Sequence, residues 1–249
     1  MPARRNLRAI AAGLTLLILG SAAWGVVSVQ RQSYGDRWLR KAYPVVAPPF
    51  EIRAQAAGPD RTLLLLGDSR VADWGLPSIP GWRVVNAGVP GLTSSEMVLI
   101  ASEALRQSEP HTVVIQAGIN ELKIIGVRKD LYEPLLSLCE SNVLKVAHWA
   151  AERGAEVLIA PVWPTGPVPF QRSLVWSYRI PQAVEEVNLR LSRSASGQPR
   201  IRIFDAFKPA PSSASPMVPP LEPQLRDTLH FTPAFYEQLT QRLILELKP

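Results

Sequence analysis

Arg61-Thr62-Leu63-Leu64-Leu65-Leu66-Gly67-Asp68-Ser69 decides how this chain reads. Four consecutive leucines, closed by a glycine and two turn-forming polar residues, describe a strand buried on both faces rather than half exposed. In an open α/β sheet, ligands bind beyond the carboxyl ends of the strands. Ser69 stands at such an end, in a strand-to-helix turn that exposes its hydroxyl. The first N–H groups of the following helix lack intrahelical acceptors and are ready to meet an oxyanion. Ser69 is therefore a candidate nucleophile. It requires a base, a carboxylate to orient that base, and further oxyanion donors.

On either side of this turn the pattern alternates. Trp82 to Asn86 reads as a second strand, His111 to Ala117 as a third, Ala155 to Ala160 as a fourth and Arg200 to Phe204 as a fifth. Helical spacing fills Thr93 to Ser108, with Met97, Ile100, Ala101, Ala104 and Leu105 on one face. Further helices are expected from about 130 to 153, stopped by Gly154, over Pro181 to Ser194, and over Pro233 to Leu247 with Thr232 as N-cap. Such alternation predicts a mostly parallel sheet covered on both faces. Two proline-rich loops, Pro161 to Phe170 and Pro209 to Pro223, follow strand ends and so fall on the functional edge. Trp163 lies in the first of them. Trp74, Trp82 and Trp176 lie near other site segments, where aromatic faces either stack on sugar rings or simply pack.

The chain has 249 residues, 47% hydrophobic and 19% charged, which suits one good-sized globular domain with an appendage. Its formal charge of +6 is spread along the chain without a basic helix or aromatic-interleaved motif, so no nucleic-acid partner is expected. A basic surface tolerating anionic lipid or glycan is the preferred reading. Cys139 is the only cysteine, excluding an internal disulfide or thiolate metal site, and its helical pattern makes it a small core residue. No metal or cofactor is called for.

Arg4, Arg5 and Arg8 precede an uncharged stretch from Ala9 to Val29, long enough to cross a hydrocarbon core of about 30 Å. The positive flank places the N-terminus in the cytoplasm and the remainder outside it, as a single-pass membrane protein. Ser21-Ala22-Ala23 also fits a signal-peptide cleavage site, which would make the protein secreted. The apolar run continues through Val29 and favours an uncleaved anchor. The expected division is 1–30 as cytoplasmic tip and anchor, 31–59 as a stalk or lead-in without sustained periodicity, and 60–249 as the catalytic domain.

Only three histidines compete for the role of base. His111 opens a strand on the amino edge of the sheet, and His148 lies within a helix as a half-buried surface residue. His230 belongs to Asp227-Thr228-Leu229-His230, just ahead of the last helix. A carboxylate three residues earlier can turn back to accept the Nδ1 proton, leaving Nε2 for the serine. The alternative is that Asp227 caps a turn beside a surface histidine. Asn86-Ala87-Gly88-Val89-Pro90-Gly91 ends the second strand with a bare Gly91 N–H, and Gly118-Ile119-Asn120 puts an amide at the end of the third. Taken singly, these are ordinary turn and cap residues.

Together, and in this order, the four blocks resemble the SGNH (GDSL-type) hydrolase family over roughly residues 60 to 249: Gly67-Asp68-Ser69, Asn86 to Gly91, Gly118-x-Asn120 and Asp227-x-x-His230. The resemblance implies a three-layer αβα sandwich with a parallel five-stranded, flavodoxin-like sheet, here preceded by a transmembrane helix. It implies Ser69 as nucleophile, His230 as base and acid, and Asp227 as orienting carboxylate, with Ser69, Gly91 and Asn120 as the oxyanion hole. Glu121 replaces the family's usual aspartate, and Gly91-Leu92 its usual Gly-Asp. Leu92 and Arg70 are expected to alter substrate preference. The Gly-x-Ser-x-Gly elbow is absent because Val71 occupies its last position, which disfavours a lipase-type α/β-hydrolase.

The function expected is an exported serine esterase acting on O-acetyl groups of a cell-surface or secreted polysaccharide. The same site would also serve a polysaccharide O-acyltransferase, or a lysophospholipase or thioesterase acting on a lipid ester. A non-catalytic glycan-binding assembly protein is the alternative of a different class. Oligomeric state is not legible.

Overall fold

The computed structural model describes residues 2–205, 207 and 222–247. Leu63 to Leu66 alternate between two cores because successive strand side chains point to opposite faces. These residues belong to strand β2 (Arg61–Gly67), the middle of a sheet whose other members are β1 (Arg53–Ala54), β3 (Trp82–Gly88), β4 (Thr112–Gln116), β5 (Glu156–Ile159) and β6 (Ile201–Ile203). The strand order is β1-β3-β2-β4-β5-β6. All neighbours are parallel except β1, which runs antiparallel to β3. The five expected strands are present, each within about two residues of its predicted bounds. β1 is an addition. Its two residues are exposed and offer no alternation to read.

Helices α3 (Ser94–Ser108), α5 (Tyr132–Glu152) and α7 (Arg179–Ala195) cover one face, closing a core with Leu64, Leu66, Val113, Ile115 and Val157. Helices α2 (Ser69–Trp74) and α8 (Pro233–Glu246) cover the other, with Leu63, Leu65, Val84, Val114 and Leu158. Two short helices, α4 (Ile119–Leu122) and α6 (Phe170–Ser173), complete a three-layer αβα sandwich. The predicted cap forms, with the Thr232 side chain accepting from the Phe235 N–H, and Thr93 and Glu96 add a capping box on α3. Cys139 is buried in the first core. The Pro209 to Pro223 loop lies almost wholly outside the described residues.

Helix α1 (Pro2–Ala42) precedes the sheet. Its portion from Leu14 is apolar enough to be a candidate membrane span, with mean hydropathy 1.3, and Leu16, Leu17, Ile18 and Trp24 are exposed. The helix continues through residues where the sequence shows no sustained period, and that end packs on the sandwich. Ala42 is buried, the Lys41 ammonium donates to the Gly91 carbonyl at 2.6 Å, and Thr93 Oγ1 donates to the Lys41 carbonyl at 2.6 Å.

Candidate active site

Gly67 makes the turn at the end of β2 possible. A Cβ at this position would lie 2.0 Å from the Gln116 carbonyl oxygen, so only glycine lets the strand turn so tightly beside β4. Asp68 then caps α2, accepting the Arg70 N–H at 2.9 Å, and Ser69 is the first helical residue, half-buried at the carboxyl edge of the sheet. Asn86, at the equivalent end of β3, donates to the Val71 and Gly75 carbonyls at 2.8 and 2.6 Å and pins this short helix.

The Asp227–His230 turn meets Ser69 from the other side. Asp227 Oδ1 accepts the N–H groups of Leu229 and His230 at 2.7 and 3.0 Å, and its Oδ2 lies 2.8 Å from His230 Nδ1. An ionised carboxylate only accepts, so Nδ1 donates and neutral Nε2 is left as an acceptor. His230 Nε2 is 3.1 Å from Ser69 Oγ. Burial opposes ionisation of Asp227, but the N–H groups of Leu229 and His230 and the imidazole outweigh it and hold the carboxyl down at about 2. The other histidines are elsewhere. His111 Nδ1 accepts from the Thr62 N–H at the amino edge, and His148 is exposed on α5 rather than half-buried.

Gly91 and Asn120 are tied to each other rather than scattered. Asn120 Nδ2 donates to the Leu92 carbonyl at 2.9 Å, spending one of its two hydrogens, and Gly91 adopts φ +73°, a left-handed conformation natural to glycine. The structure thus brings together Ser69, Asp227 and His230 by direct contact, and joins Asn120 to the Gly91–Leu92 turn.

Two expectations are corrected. Arg70 is fully buried, so it is no substrate-facing residue. Its Nε donates to the Leu229 carbonyl at 2.8 Å, Nη1 to Trp163 at 2.7 Å and Nη2 to Pro164 at 3.3 Å. This guanidinium locks the turn between Asp227 and His230 to the loop after β5 and to the residue following Ser69. Leu92 is likewise fully buried in the core. Trp74, Trp82 and Trp163 are buried in the second core and cannot stack on a ligand, whereas Trp176 is half-buried. Sequence reading missed Arg70 as a structural member of the site. A charged residue directly between Ser69 and the buried Val71 is the only local signal.

Buried ionisable groups surround this edge. Burial raises the Asp68 carboxyl, against Arg70 and its N–H, and pushes Glu121 up to about 7 despite the Ser94 N–H it accepts. Burial lowers Lys123 to about 7, countered by Asp68 and assisted by Arg172. Among the described residues, no group of three or more His, Cys, Asp or Glu is placed to hold a metal.

No family model matches the chain, and no curated protein does either. Solved structures do match. A GDSL-like lipase from Bacteroides thetaiotaomicron is 18% identical, with TM-score 0.56 over 86% of this chain and 98% of that one. A catalytic mutant of an acetylxylan esterase from Geobacillus stearothermophilus is 14% identical, with TM-score 0.54 over 77% and 96%. A lipase/acylhydrolase from Enterococcus faecalis is 19% identical, with TM-score 0.51 over 75% and 95%. With its mostly parallel sheet, its two covering helical layers and these neighbours, the chain has the SGNH (GDSL-type) hydrolase fold.

Proposed function

We propose that the protein is an exported, membrane-anchored serine esterase that removes O-acetyl groups from a polysaccharide. The contact carrying this reading is His230 Nε2 to Ser69 Oγ at 3.1 Å, with Asp227 on the opposite ring nitrogen at 2.8 Å. Ser69 Oγ attacks the ester carbonyl as its proton passes to His230. The N–H groups of Ser69 and Gly91 and the second Asn120 amide hydrogen receive the developing oxyanion. Imidazolium then protonates the departing sugar hydroxyl, leaving an acyl-enzyme. Water, deprotonated by His230, attacks that ester, and its collapse releases acetate and restores Ser69. Asp227, ionised at every working pH, stabilises the imidazolium throughout.

Acetylxylan esterase activity in a protein of the same fold supports the acetyl reading, and the apolar α1 supports membrane anchoring. A fluorophosphonate probe tests the nucleophile: labelling of the wild-type protein is expected, and none of Ser69→Ala. Folded wild-type protein that takes no label would defeat the assignment. Acetyl against octanoyl nitrophenyl esters tests the acyl group, and a preference for octanoate would favour a lipid ester.

A further inference from the structure

Beside the Gly91–Asn120 end of the site lies a set of cations that the ester chemistry does not use. Lys123, one turn beyond Asn120, rests its ammonium 3.3 Å from the centre of the Trp38 ring. It is 6% exposed and donates no hydrogen bond among the described residues. Lys41 Nζ lies 5.6 Å from the same ring. Lys123 feels the Arg172 charge. Arg172 lies in the segment that α1 reaches through Arg31, which donates to the Leu174 carbonyl, and its guanidinium sits 6.0 Å from the Trp176 ring with Nη1 buried and without an acceptor. A cationic donor buried without an acceptor is costly unless a partner arrives. Three carboxylates serve this region, and Glu121 among them is raised by burial and accepts the Ser94 N–H. Glu96 is engaged by Lys41 at 3.2 Å and by the Thr93 N–H, and Asp68 also faces the buried Arg70. Neither Lys123 nor Arg172 makes an ion pair within 4 Å among the described residues.

The set is also close to the oxyanion end. A Cβ on Gly91 would lie 3.5 Å from Lys41 Nζ and 3.6 Å from Trp38 Cη2, so α1 borders the turn that offers the Gly91 N–H. We propose that Trp38, Lys123 and Arg172 form a subsite for an anionic group of the substrate, a carboxylate carried on an acidic acetylated sugar polymer. The acetylated part of this assignment rests on the esterase reading; the anion subsite does not.

Phosphate on a lipid would satisfy the same donors, but the helix argues against it. From Val29, the last residue of the apolar run, to Lys41, α1 climbs about 18 Å when upright in the bilayer. A lipid ester lies near the headgroups and would have to leave the membrane to reach Ser69. A soluble polymer would not.

The test is calorimetric titration of the full-length Ser69→Ala protein in neutral detergent. Trigalacturonate, xylotriose and a lysophosphatidate are the ligands. Trigalacturonate is expected to bind about tenfold more tightly than xylotriose, and Arg172→Gln to remove most of that difference. Arg153→Gln, an equal charge change on the exposed amino edge, is expected to leave it intact. Lys123→Met provides a second reading where it folds, and Arg172→Gln carries the test where it does not. Equal binding of the two saccharides, or equal loss in both arginine variants, would overturn the subsite. Arg172-dependent binding of lysophosphatidate without trigalacturonate would overturn the polymer assignment. Binding is read without turnover, so failed fluorophosphonate labelling with intact trigalacturonate binding would reject the esterase and leave the anion subsite standing.

Discussion

Arg70 Nε and the Leu229 carbonyl, 2.8 Å apart, join the residue after Ser69 to the middle of the turn that carries Asp227 and His230. Ser69 and His230 come from segments far apart in the chain, and this bond sets one against the other. The same guanidinium also satisfies the Trp163 and Pro164 carbonyls. Charge-assisted bonds to neutral carbonyls suit a planar, permanently charged fork better than an ammonium.

Arg70→Met removes all three donors and strands buried carbonyls. The expected cost is about 3 kcal/mol or more, a fall in melting temperature of roughly 6–12 °C for a domain of this size. Molecules that still fold should show reduced kcat as His230 loses its setting. Thermal melts and fluorophosphonate labelling rates check both, and an unchanged melt would remove Arg70 from the clamp.

Asp227→Asn replaces an obligate acceptor with a group able to present its N–H to the imidazole. The tautomer with Nε2 accepting is then no longer enforced, and labelling should slow by about 10³-fold or more. The folded carboxyl stays ionised down to about pH 2, below the ordinary value of 3.8. Its stabilising contribution is complete above pH 3.8 and is lost as pH falls through about 2. Loss of activity between pH 7 and 5 should therefore persist in no form traceable to Asp227, which difference titration of wild-type and Asn proteins measures.

Asn120→Ala removes the amide that holds the Leu92 carbonyl and that the proposed mechanism aims at the oxyanion. Catalysis by acetyl ester turnover should fall about 10²–10³-fold in kcat with KM nearly unchanged. A rise in KM at constant kcat would place Asn120 in ground-state binding instead.

Glu121 supplies a pH test of the fold. Its carboxyl is raised to about 7, so the folded chain keeps a proton that the unfolded chain releases near 4.5. Wild-type stability should decline as pH climbs from 4.5 to 7 and level off above, by up to about 3 kcal/mol from this group. Glu121→Gln should flatten that dependence, and parallel melts at pH 5 and pH 8 compare the two proteins. Identical slopes would show the carboxyl to be ionised throughout.

The parts of this molecule that were legible in the sequence are those fixed locally. Four leucines followed by Gly-Asp-Ser announce a buried strand and its exposed turn, and His230 stood out because only three histidines exist and one has a carboxylate three residues before it. What was not legible depends on distant partners. Arg70 is structural because carbonyls at 163, 164 and 229 converge on it, and no local pattern encodes that convergence. Trp163 reads as a loop aromatic, yet Phe231 and Phe235 pack edge-on against it. The last turns of α1 lack a clear period because Ala42 packs on the core while Lys41 meets a carbonyl and a carboxylate.

The two-residue strand β1 reaches beyond its own size. The Gln55 N–H donates to the Val84 carbonyl at 3.0 Å, and its side-chain Oε1 accepts the Val84 N–H at 2.9 Å. A single glutamine thus saturates both backbone groups of Val84 where β1 ends, and Arg53 places an exposed side chain beside it. Sheet margins left bare recruit strands from other molecules. Proteins tethered to one bilayer meet each other in two dimensions at high local density, and for them a bare β3 would invite lateral polymerisation. Gln55 and β1 close that route along β3, which is what the proposed membrane anchoring would require of a crowded protein.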